Sequence, residues 1–124
     1  MNDLELYKIP SLASMLDALE QIERNRSRCV FITEGDKVVG VLSEGDALRA
    51  LISGVHLRTQ VASVMKPSFR YLRERSFEQA CRLVRKHLFT LVPIVDEEFR
   101  LTDVITLGEV LDYLESRAAD RLGG

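Results

Sequence analysis

The sequence predicts an α/β fold made of two copies of one strand–helix–strand–strand–helix unit, related by a pseudo-twofold axis. The first observation is a repeat, because residues 40–51 and 103–114 share one pattern at a constant offset (103 − 40 = 63 and 114 − 51 = 63). The second is an amphipathic helix pattern ahead of each block, and the third is a pair of short β-rich runs. A repeat with a fixed period of this length indicates two copies of one supersecondary unit, each of which can bury the other's apolar face.

The first helix of each unit is predicted from apolar residues spaced three and four positions apart, which line one helix face. Ser11 and Ser76 stand just before these runs and are candidate N-caps, and Gln79 has the spacing of a capping-box partner for Ser76. The two apolar faces contain Leu12, Met15, Leu16, Leu19 and Ile22 in the first unit, and Phe77, Ala80, Cys81, Val84 and Leu88 in the second.

Two short strands follow each of these helices and are predicted to form an antiparallel hairpin. Their residues are apolar and rich in β-branched types, and turn residues separate the two members of each pair. Residues 7–10 and 69–72 are predicted to be the first strand of each unit. The hairpin strands are 29–32 and 38–42 in the first unit and 91–95 and 101–105 in the second.

The chain of 124 residues is predicted to be one module with a short connector between its units. Gly54 fits a helix stop, residues 61–65 can form one short turn of helix, and Pro67 would end that turn. The predicted boundaries are a first unit at 6–55, a connector at 56–68, a second unit at 69–115 and a C-terminal tail at 116–124.

Composition and charge exclude several classes of function. Nucleic-acid-binding domains usually have an excess of basic residues, whereas this chain has a net charge of −2. No apolar run approaches the roughly 20 residues that a membrane span needs. Two cysteines in apolar patterns and two histidines give no metal-ligand spacing, and no nucleophile, base and orienting group assemble by sequence. We therefore predict a cytoplasmic protein that is not an enzyme, holds no metal and requires no cofactor.

Basic residues crowd the start of the second unit, and two interpretations of them stay open. They can form a solvated helix face, or they can form a rim that attracts phosphate. The residues are Arg70, Arg73, Arg75, Arg82, Arg85 and Lys86.

Three short elements recur in an order that a known family shares. Residues 40–46 contain a glycine, two apolar residues, a serine and an aspartate three positions after the serine. Residues 92–95 form an apolar run around Pro93, and residues 64–65 are Val-Met at the opening of the second unit. The repeated unit resembles the CBS motif, and two such motifs in tandem resemble a CBS pair, or Bateman module.

A narrower resemblance involves residues 43–65 and 103–106. These segments are similar to CBS pairs found ahead of bacterial sugar-phosphate nucleotidyltransferases. The resemblance implies either a free-standing relative or a regulatory piece of a longer protein, with a fused or associated catalytic domain.

The resemblance also implies an adenine nucleotide, of the AMP, ADP or ATP class, bound in the cleft between the motifs. In families of this kind the hydroxyl and the acid of the repeated block bind the nucleotide. A helix N-terminus suits phosphate, and a carboxylate can accept hydrogen bonds from both ribose hydroxyls. Glycine at the start of the helix would allow close approach of the backbone, and the strand with Cys29 and Phe31 would form an apolar wall for the base. The candidate ligand-binding residues are Ser43, Gly45, Asp46, Cys29, Phe31, Thr106, Glu109 and Pro93.

The same hydroxyl–acid spacing also describes a capping box, in which the hydroxyl caps a helix N–H and the acid bonds back to the cap. The second copy departs from the family pattern, since Glu109 stands where aspartate is expected and Asp103 where glycine is expected. We therefore expect occupancy of one cleft, or of none, rather than of two equivalent clefts.

Two functions stay open on this basis. Ser43 with Asp46 favours a ligand sensor that biases a partner domain, whereas Asp103 and Glu109 favour an assembly module with vestigial clefts. A homodimer is expected, because the last helices carry more apolar surface than one small sheet covers. That surface contains Ala47, Leu48, Leu51, Ile52, Val110, Leu111 and Leu114.

Overall fold

Apart from the first strand of the second unit, helices and strands follow one another in the order that the repeat predicts. The computed structural model describes residues 2–123. Short 3-10 turns lie at Leu4–Tyr7 and, within the predicted turn of helix, at Val61–Ser63. The last helix passes the predicted end of the second unit at residue 115, and residue 124 of the predicted tail lies outside the described residues. The strands are β1 (Lys8–Pro10), β2 (Cys29–Glu34), β3 (Lys37–Ser43), β4 (Leu91–Val95) and β5 (Leu101–Thr106), and the helices are α1 (Met15–Asn25), α2 (Glu44–Ile52), α3 (Phe77–His87) and α4 (Leu107–Gly123).

Both predicted hairpins are confirmed as antiparallel strand pairs. β2 pairs with β3 so that Cys29 lies opposite Ser43, and β4 pairs with β5 so that Leu91 lies opposite Thr106. The first sheet has three strands, because β1 runs parallel beside β2, and the second has two. In both units the hydroxyl residue therefore ends the hairpin immediately before the last helix.

The predicted first strand of the second unit is reduced to a single bridge. Leu72 alone pairs with β4, through two backbone hydrogen bonds of 2.9 Å. Phe69 and Tyr71 pack as aromatic rings instead, with Tyr71 5.8 Å from Phe69 and 5.3 Å from Phe99 between ring centroids. The prediction of a strand at 69–72 is wrong, because aromatic packing rather than strand pairing fixes this segment.

Helix α1 begins later than the sequence pattern indicates. Ser14, not Ser11, is its N-cap, since the Ser14 hydroxyl accepts the Asp17 N–H at 3.1 Å and the Asp17 carboxylate accepts the Ser14 N–H at 3.2 Å. Ser11 is buried, and its N–H donates to the Thr33 carbonyl at 2.9 Å. Leu12 therefore precedes the helix and is 72% exposed, which corrects its assignment to the apolar face.

Helix α3 begins where it was predicted to begin, because the Ser76 hydroxyl accepts the Gln79 N–H at 3.2 Å. Its end differs from the prediction. Leu88 adopts a left-handed backbone with φ of 57° and donates its N–H to the Val84 carbonyl at 2.9 Å. This left-handed cap ends the helix and leaves the Leu88 side chain exposed, so Leu88 does not belong to the apolar face.

The core consists of one apolar cluster between the units and one beneath the helices of each unit. The central cluster joins Phe31 and Val38 of the first sheet to Leu91 and Val104 of the second. Each unit therefore covers one face of its sheet with its own helices and packs the other face against the second unit. Within residues 2–123, no helix combines the length and apolar character needed to cross a bilayer.

The connector returns along β3 and reaches the start of α2. Val41 and Lys66 exchange two backbone hydrogen bonds of 2.9 Å. Gly40 permits this approach, since a Cβ atom there would lie 2.6 Å from Met65 Sδ and 2.8 Å from the Lys66 carbonyl oxygen. The connector thereby places the Lys66 side chain beside the hydroxyl–acid pair of the first unit.

Candidate functional site

A cavity with a volume of about 1000 Å³ opens between the two units and is lined by residues from both. Its lining includes residues of β2 and β3, of the start of α2 and of β4. Thr106 and Glu109 lie outside this lining. Six of the eight predicted ligand-binding residues line the cavity, namely Cys29, Phe31, Ser43, Gly45, Asp46 and Pro93.

The N-terminus of α2 opens into this cavity with half of a capping box. Ser43 is the N-cap, and its hydroxyl accepts the Asp46 N–H at 3.0 Å. The Ser43 backbone pairs with Cys29 in the sheet, and the Asp46 carboxylate turns toward Arg49 and Lys66. Capping therefore accounts for the serine of this pair and leaves the aspartate available for another role.

The Asp46 carboxylate is an ionised acceptor at the edge of the cavity. It lies 2.5 Å from the Arg49 guanidinium and 3.4 Å from Lys66 Nζ, and its side chain is 14% exposed. Burial acts to raise the pKa of Asp46, but hydrogen bonds from Arg49 and Ser43 and the charge of Lys66 outweigh burial and hold the pKa below its usual value. Both cations are largely exposed, so either can leave Asp46 at little cost.

Residues of β2 and β4 give the cavity an apolar part. Phe31 is 2% exposed, and Pro93 is fully buried. Burial raises the pKa of the Cys29 thiol to about 12, against a smaller lowering by a hydrogen bond with Thr90. Cys29 is therefore a neutral thiol at physiological pH, which suits an apolar wall and does not suit a nucleophile.

Three cations stand at the mouth of the cavity, and two of them were missed by the sequence-based prediction of site residues. Arg28, Lys66 and Arg70 line the cavity and are exposed. Arg70 belongs to the predicted basic cluster. Lys66 carried a signal, since it directly follows the Val-Met element, but Arg28 carried none beyond its position just ahead of β2.

The other members of the basic cluster do not share the position of Arg70. Arg73 lies over two aromatic rings, 5.0 and 4.8 Å from their centroids, and Arg75 is bound by carboxylates. Arg82 and Arg85 are exposed on α3. The interpretation of this cluster as a phosphate-attracting rim therefore depends on Arg70 alone among its six residues.

Thr106 and Glu109 form a complete capping box at α4. The Glu109 N–H donates to Thr106 Oγ1 at 3.1 Å, and Glu109 Oε1 accepts the Thr106 N–H at 3.1 Å. The same oxygen accepts the side-chain amide of Asn2 at 3.0 Å, and Glu109 Oε2 is bound by Arg75. The acid of the second copy is thus engaged by its own chain, in contrast to Asp46.

Arg75 connects the two residues at which the second copy departs from the family pattern. Its guanidinium lies 2.8 Å from Asp103 Oδ2 and also binds Glu109. Counted from the N-caps of α1 and α3, the equivalent residue in the first unit is Ala13, whose methyl group cannot reach a carboxylate. The Glu109 carboxylate is therefore occupied by Arg75, and the first unit has no equivalent arginine.

The Glu109→Gln variant is expected to lose less of its free energy of unfolding than the wild type as the pH falls. Burial acts to raise the pKa of Glu109, but hydrogen bonds from Asn2 and Thr106 and the ion pair with Arg75 hold it below the ordinary value of 4.5. Because the folded-state pKa is the lower one, the stabilisation is fully present above the unfolded-state value and is lost as pH falls through the folded-state value. Free energies of unfolding by urea between about pH 3 and 6 measure this slope. A slope equal to that of the wild type would contradict the role of Glu109.

The family follows from both halves of the sequence. A sequence model of the CBS domain matches residues 1–53 and 61–116. The chain belongs to the CBS domain family. The two matched segments confirm the predicted tandem repeat, so the chain is a CBS pair with the mixed helix–strand fold expected of one.

Three matches to known proteins, two of them to MgtE, show what this chain is similar to. The magnesium transporter MgtE of Thermus thermophilus is 38% identical over 90 residues, which cover 72% of this chain and 19% of the transporter. Arabinose 5-phosphate isomerase GutQ of Salmonella typhi is 34% identical over 96 residues, which cover 76% of this chain and 30% of the isomerase. The cytosolic domain of the Mg²⁺ channel MgtE, solved in complex with ATP, matches with a TM-score of 0.70 at 28% identity, over 86% of this chain and 44% of that one. This CBS pair spans less than a third of the length of either relative.

Proposed function

We propose that this CBS pair is a regulatory module that binds an adenine nucleotide at the start of α2 and biases a partner domain. The observation that carries the proposal is the Asp46 carboxylate, which is ionised, does not complete a capping box at α2 and lines a cavity between the units. The proposed role involves no catalysis, and the high pKa of Cys29 agrees with this, since it leaves that thiol neutral rather than nucleophilic.

The parts of the cavity match the parts of an adenine nucleotide. Val41 and Leu48 offer accessible apolar surface to the base, in front of the buried Phe31 and Pro93. Asp46 can accept both ribose hydroxyls once Arg49 moves away, and hydrogen bonds to a charged acceptor are the stronger kind. The helix dipole and the Gly45 N–H would attract phosphate to the start of α2, since the Glu44 N–H donates to the Arg28 carbonyl at 2.8 Å and the Asp46 N–H donates to the Ser43 hydroxyl. Additional positive charge for phosphate comes from Arg28, Lys66 and Arg70.

The relatives support both the ligand class and the regulatory role. The cytosolic domain of MgtE was solved with ATP, and in MgtE and GutQ the similar region is a minor part of a longer transporter or isomerase. We therefore propose that this chain also acts on a fused or associated domain in the cytoplasm. A sugar-phosphate nucleotidyltransferase is one candidate for that domain.

Calorimetric titration with AMP, ADP and ATP, with GTP as the control for base selectivity, tests this function. We expect saturable binding of at least one adenine nucleotide at about one molecule per chain, because Arg75 closes the second acid. Binding of two equivalent nucleotides per chain would contradict the inference that Arg75 keeps Glu109 from binding a nucleotide. Absence of binding by all three adenine nucleotides would overturn the proposed function.

Gly45→Ala is expected to weaken nucleotide binding by about tenfold, whereas Gly108→Ala is expected to leave it unchanged. The two glycines occupy equivalent second positions of α2 and α4. A Cβ atom would lie 3.5 Å from Arg49 at Gly45 and 3.8 Å from Thr106 at Gly108, so both variants fit. Each should gain up to about 1 kcal/mol of helix stability. Only the Gly45 methyl group lies where a phosphate would approach the α2 backbone.

The measurement for this pair combines calorimetry with thermal unfolding of the free variants. Comparable melting points for Gly45→Ala and Gly108→Ala would show that any difference in affinity is not a folding defect. Equal affinity of the two variants would contradict the placement of phosphate at α2.

An assembly module without a ligand is the second candidate function. The observation that favours it is the exposure of large apolar side chains on the last helices, with Leu48 58% and Leu111 55% exposed. Such a module would associate through these helices whether or not the cavity holds a nucleotide.

A further inference from the structure

A guanidinium lies beside the first turn of α2, where the phosphate of a nucleotide would bind. Arg49 belongs to the last turn of that helix, but its side chain reaches back to the first turn. A Cβ atom at Gly45 would lie 3.5 Å from Arg49 Nη1 and 3.6 Å from Arg49 Nη2. A helix N-terminus carries partial positive charge and repels a cation, so the helix itself does not hold Arg49 there. The Asp46 carboxylate holds it, since Asp46 Oδ1 lies 2.5 Å from Arg49 Nη2.

The contact with Arg49 is the shortest ion pair of the Asp46 carboxylate. Lys66 Nζ lies farther from the same oxygen, at 3.4 Å. Burial raises the pKa of Asp46, and the hydrogen bond from Arg49 is the largest of the effects that lower it. The guanidinium therefore occupies an acceptor oxygen that ribose hydroxyls would need. The Arg49 side chain is itself 70% exposed, so it is free to turn to another partner.

The second unit has no equivalent of this arginine. The offset that aligns Asp46 with Glu109 places an acid, Asp112, at the position of Arg49. Glu109 is bound instead by Arg75, which comes from the segment ahead of α3. A cation on the same helix as the acid is therefore a feature of the first unit, which is also the unit whose acid lines the cavity.

We propose that Arg49 makes this cavity select adenine nucleotides over adenosine. In the free protein the guanidinium occupies Asp46, and when a nucleotide binds it turns to the phosphate and leaves the carboxylate to the ribose hydroxyls. Adenosine has to break the same ion pair but offers the released guanidinium no anion. The movement is short, because the guanidinium already lies beside Gly45 at the start of α2. Since Arg49 acts within the proposed nucleotide site, its role rests on the proposed function.

Calorimetric titration of the wild type and of Arg49→Met with adenosine, AMP, ADP and ATP tests this role. We expect the wild type to bind its tightest nucleotide at least about a hundredfold more tightly than adenosine, since hydrogen bonds between charged groups are the stronger kind. In Arg49→Met this preference should fall by about tenfold or more. Adenosine itself should bind Arg49→Met at least as tightly as the wild type, because no ion pair with Arg49 has to break. Arg49→Lys keeps a mobile positive charge and should retain most of the preference.

A measurement without ligand tests the position of Arg49 in the free protein. The pKa of the Asp46 carboxyl, followed by carbon-13 NMR, should rise in Arg49→Met, because the hydrogen bond that lowers it is lost. Arg24→Met is the matched control, since Arg24 is an exposed helical arginine 3.6 Å from Glu20 and lies outside the cavity lining. It should change neither the pKa of Asp46 nor the preference for nucleotides. Thermal unfolding of the free variants shows that each is folded.

Three results would contradict different parts of the proposal. An equal loss of affinity for adenosine and for nucleotides in Arg49→Met, or an unchanged preference, would overturn the role of Arg49 in selectivity and leave nucleotide binding intact. An unchanged pKa of Asp46 in Arg49→Met would overturn the placement of the guanidinium on this carboxylate. A wild type that binds none of the adenine nucleotides would overturn the proposed function, and the role of Arg49 with it.

Discussion

Asp46→Ala is expected to abolish the rise in melting temperature that a saturating adenine nucleotide produces, whereas Glu109→Ala should leave most of that rise. The two acids occupy equivalent positions but different surroundings. Asp46 borders the cavity and is held by two exposed cations that can leave it. Glu109 is engaged by Thr106, Asn2 and Arg75. Only the first carboxylate can exchange its present partners for ribose hydroxyls without breaking a helix cap.

The expected shift is large enough to measure by thermal unfolding. A ligand that binds the folded state alone stabilises it by about 2.7 kcal/mol at a hundredfold excess over its dissociation constant. For a chain of 124 residues this corresponds to a rise on the order of 6–15 °C. AMP, ADP and ATP are each tested, because the cations at the cavity mouth can accommodate one phosphate or several.

The variants also need comparison without ligand, because Asp46 interacts with Arg49 and Lys66 in the free protein. Loss of these exposed contacts should cost about 1 kcal/mol or less, and the cap itself survives, since the Ser43 hydroxyl bonds the backbone of residue 46. Each shift is therefore measured from the melting point of the same variant without nucleotide. Asp46→Asn, which keeps the size of the side chain, should behave like Asp46→Ala. Equal losses of shift from Asp46→Ala and Glu109→Ala would contradict the difference between the two acids.

The repeat made the fold predictable because strand and helix periodicities agreed in both copies. The hairpins, the helices and their order followed from apolar spacing and turn residues. The start of α1 was not predicted, since Ser11 and Ser14 both precede the apolar run and only the tertiary bond from Ser11 to Thr33 decides between them. The segment at 69–72 differed for a similar reason, because contacts with the distant Phe99 fix Tyr71.

The local sequence pattern could not predict that Asp46 and Glu109 have different partners. Ser43 with Asp46 and Thr106 with Glu109 have the same spacing, and both satisfy the pattern of a capping box. The distinction comes from residues far along the chain, since Arg75 and Asn2 reach only the second acid. Glu109 and Asp103 signalled a departure in the sequence, but the arginine that binds them both was hidden in a basic cluster.

Gly40→Ala is expected to lower the free energy of unfolding by about 2 kcal/mol and to weaken nucleotide binding as well. A Cβ atom at this position would lie 2.8 Å from the Lys66 carbonyl oxygen and 2.6 Å from Met65 Sδ. The Met65 side chain can rotate away, but the carbonyl belongs to the backbone that pairs with Val41 through two hydrogen bonds. Relief of the clash therefore requires the connector to leave β3, which also moves Lys66 away from Asp46.

The lack of space for a side chain at residue 40 has no equivalent in the second unit. Asp103 occupies the position equivalent to Gly40 on β5, and its side chain turns to Arg75, so a bulky residue is tolerated there. Gly108→Ala serves as the control, because it adds the same methyl group with no contact closer than 3.8 Å and should not destabilise the protein. Urea unfolding at pH 7 gives the free energies, and calorimetry gives the affinities. If the Gly40→Ala protein is as stable as the Gly108→Ala protein, the connector can move away from β3 without cost. The path of the backbone would then not hold Lys66 beside Asp46.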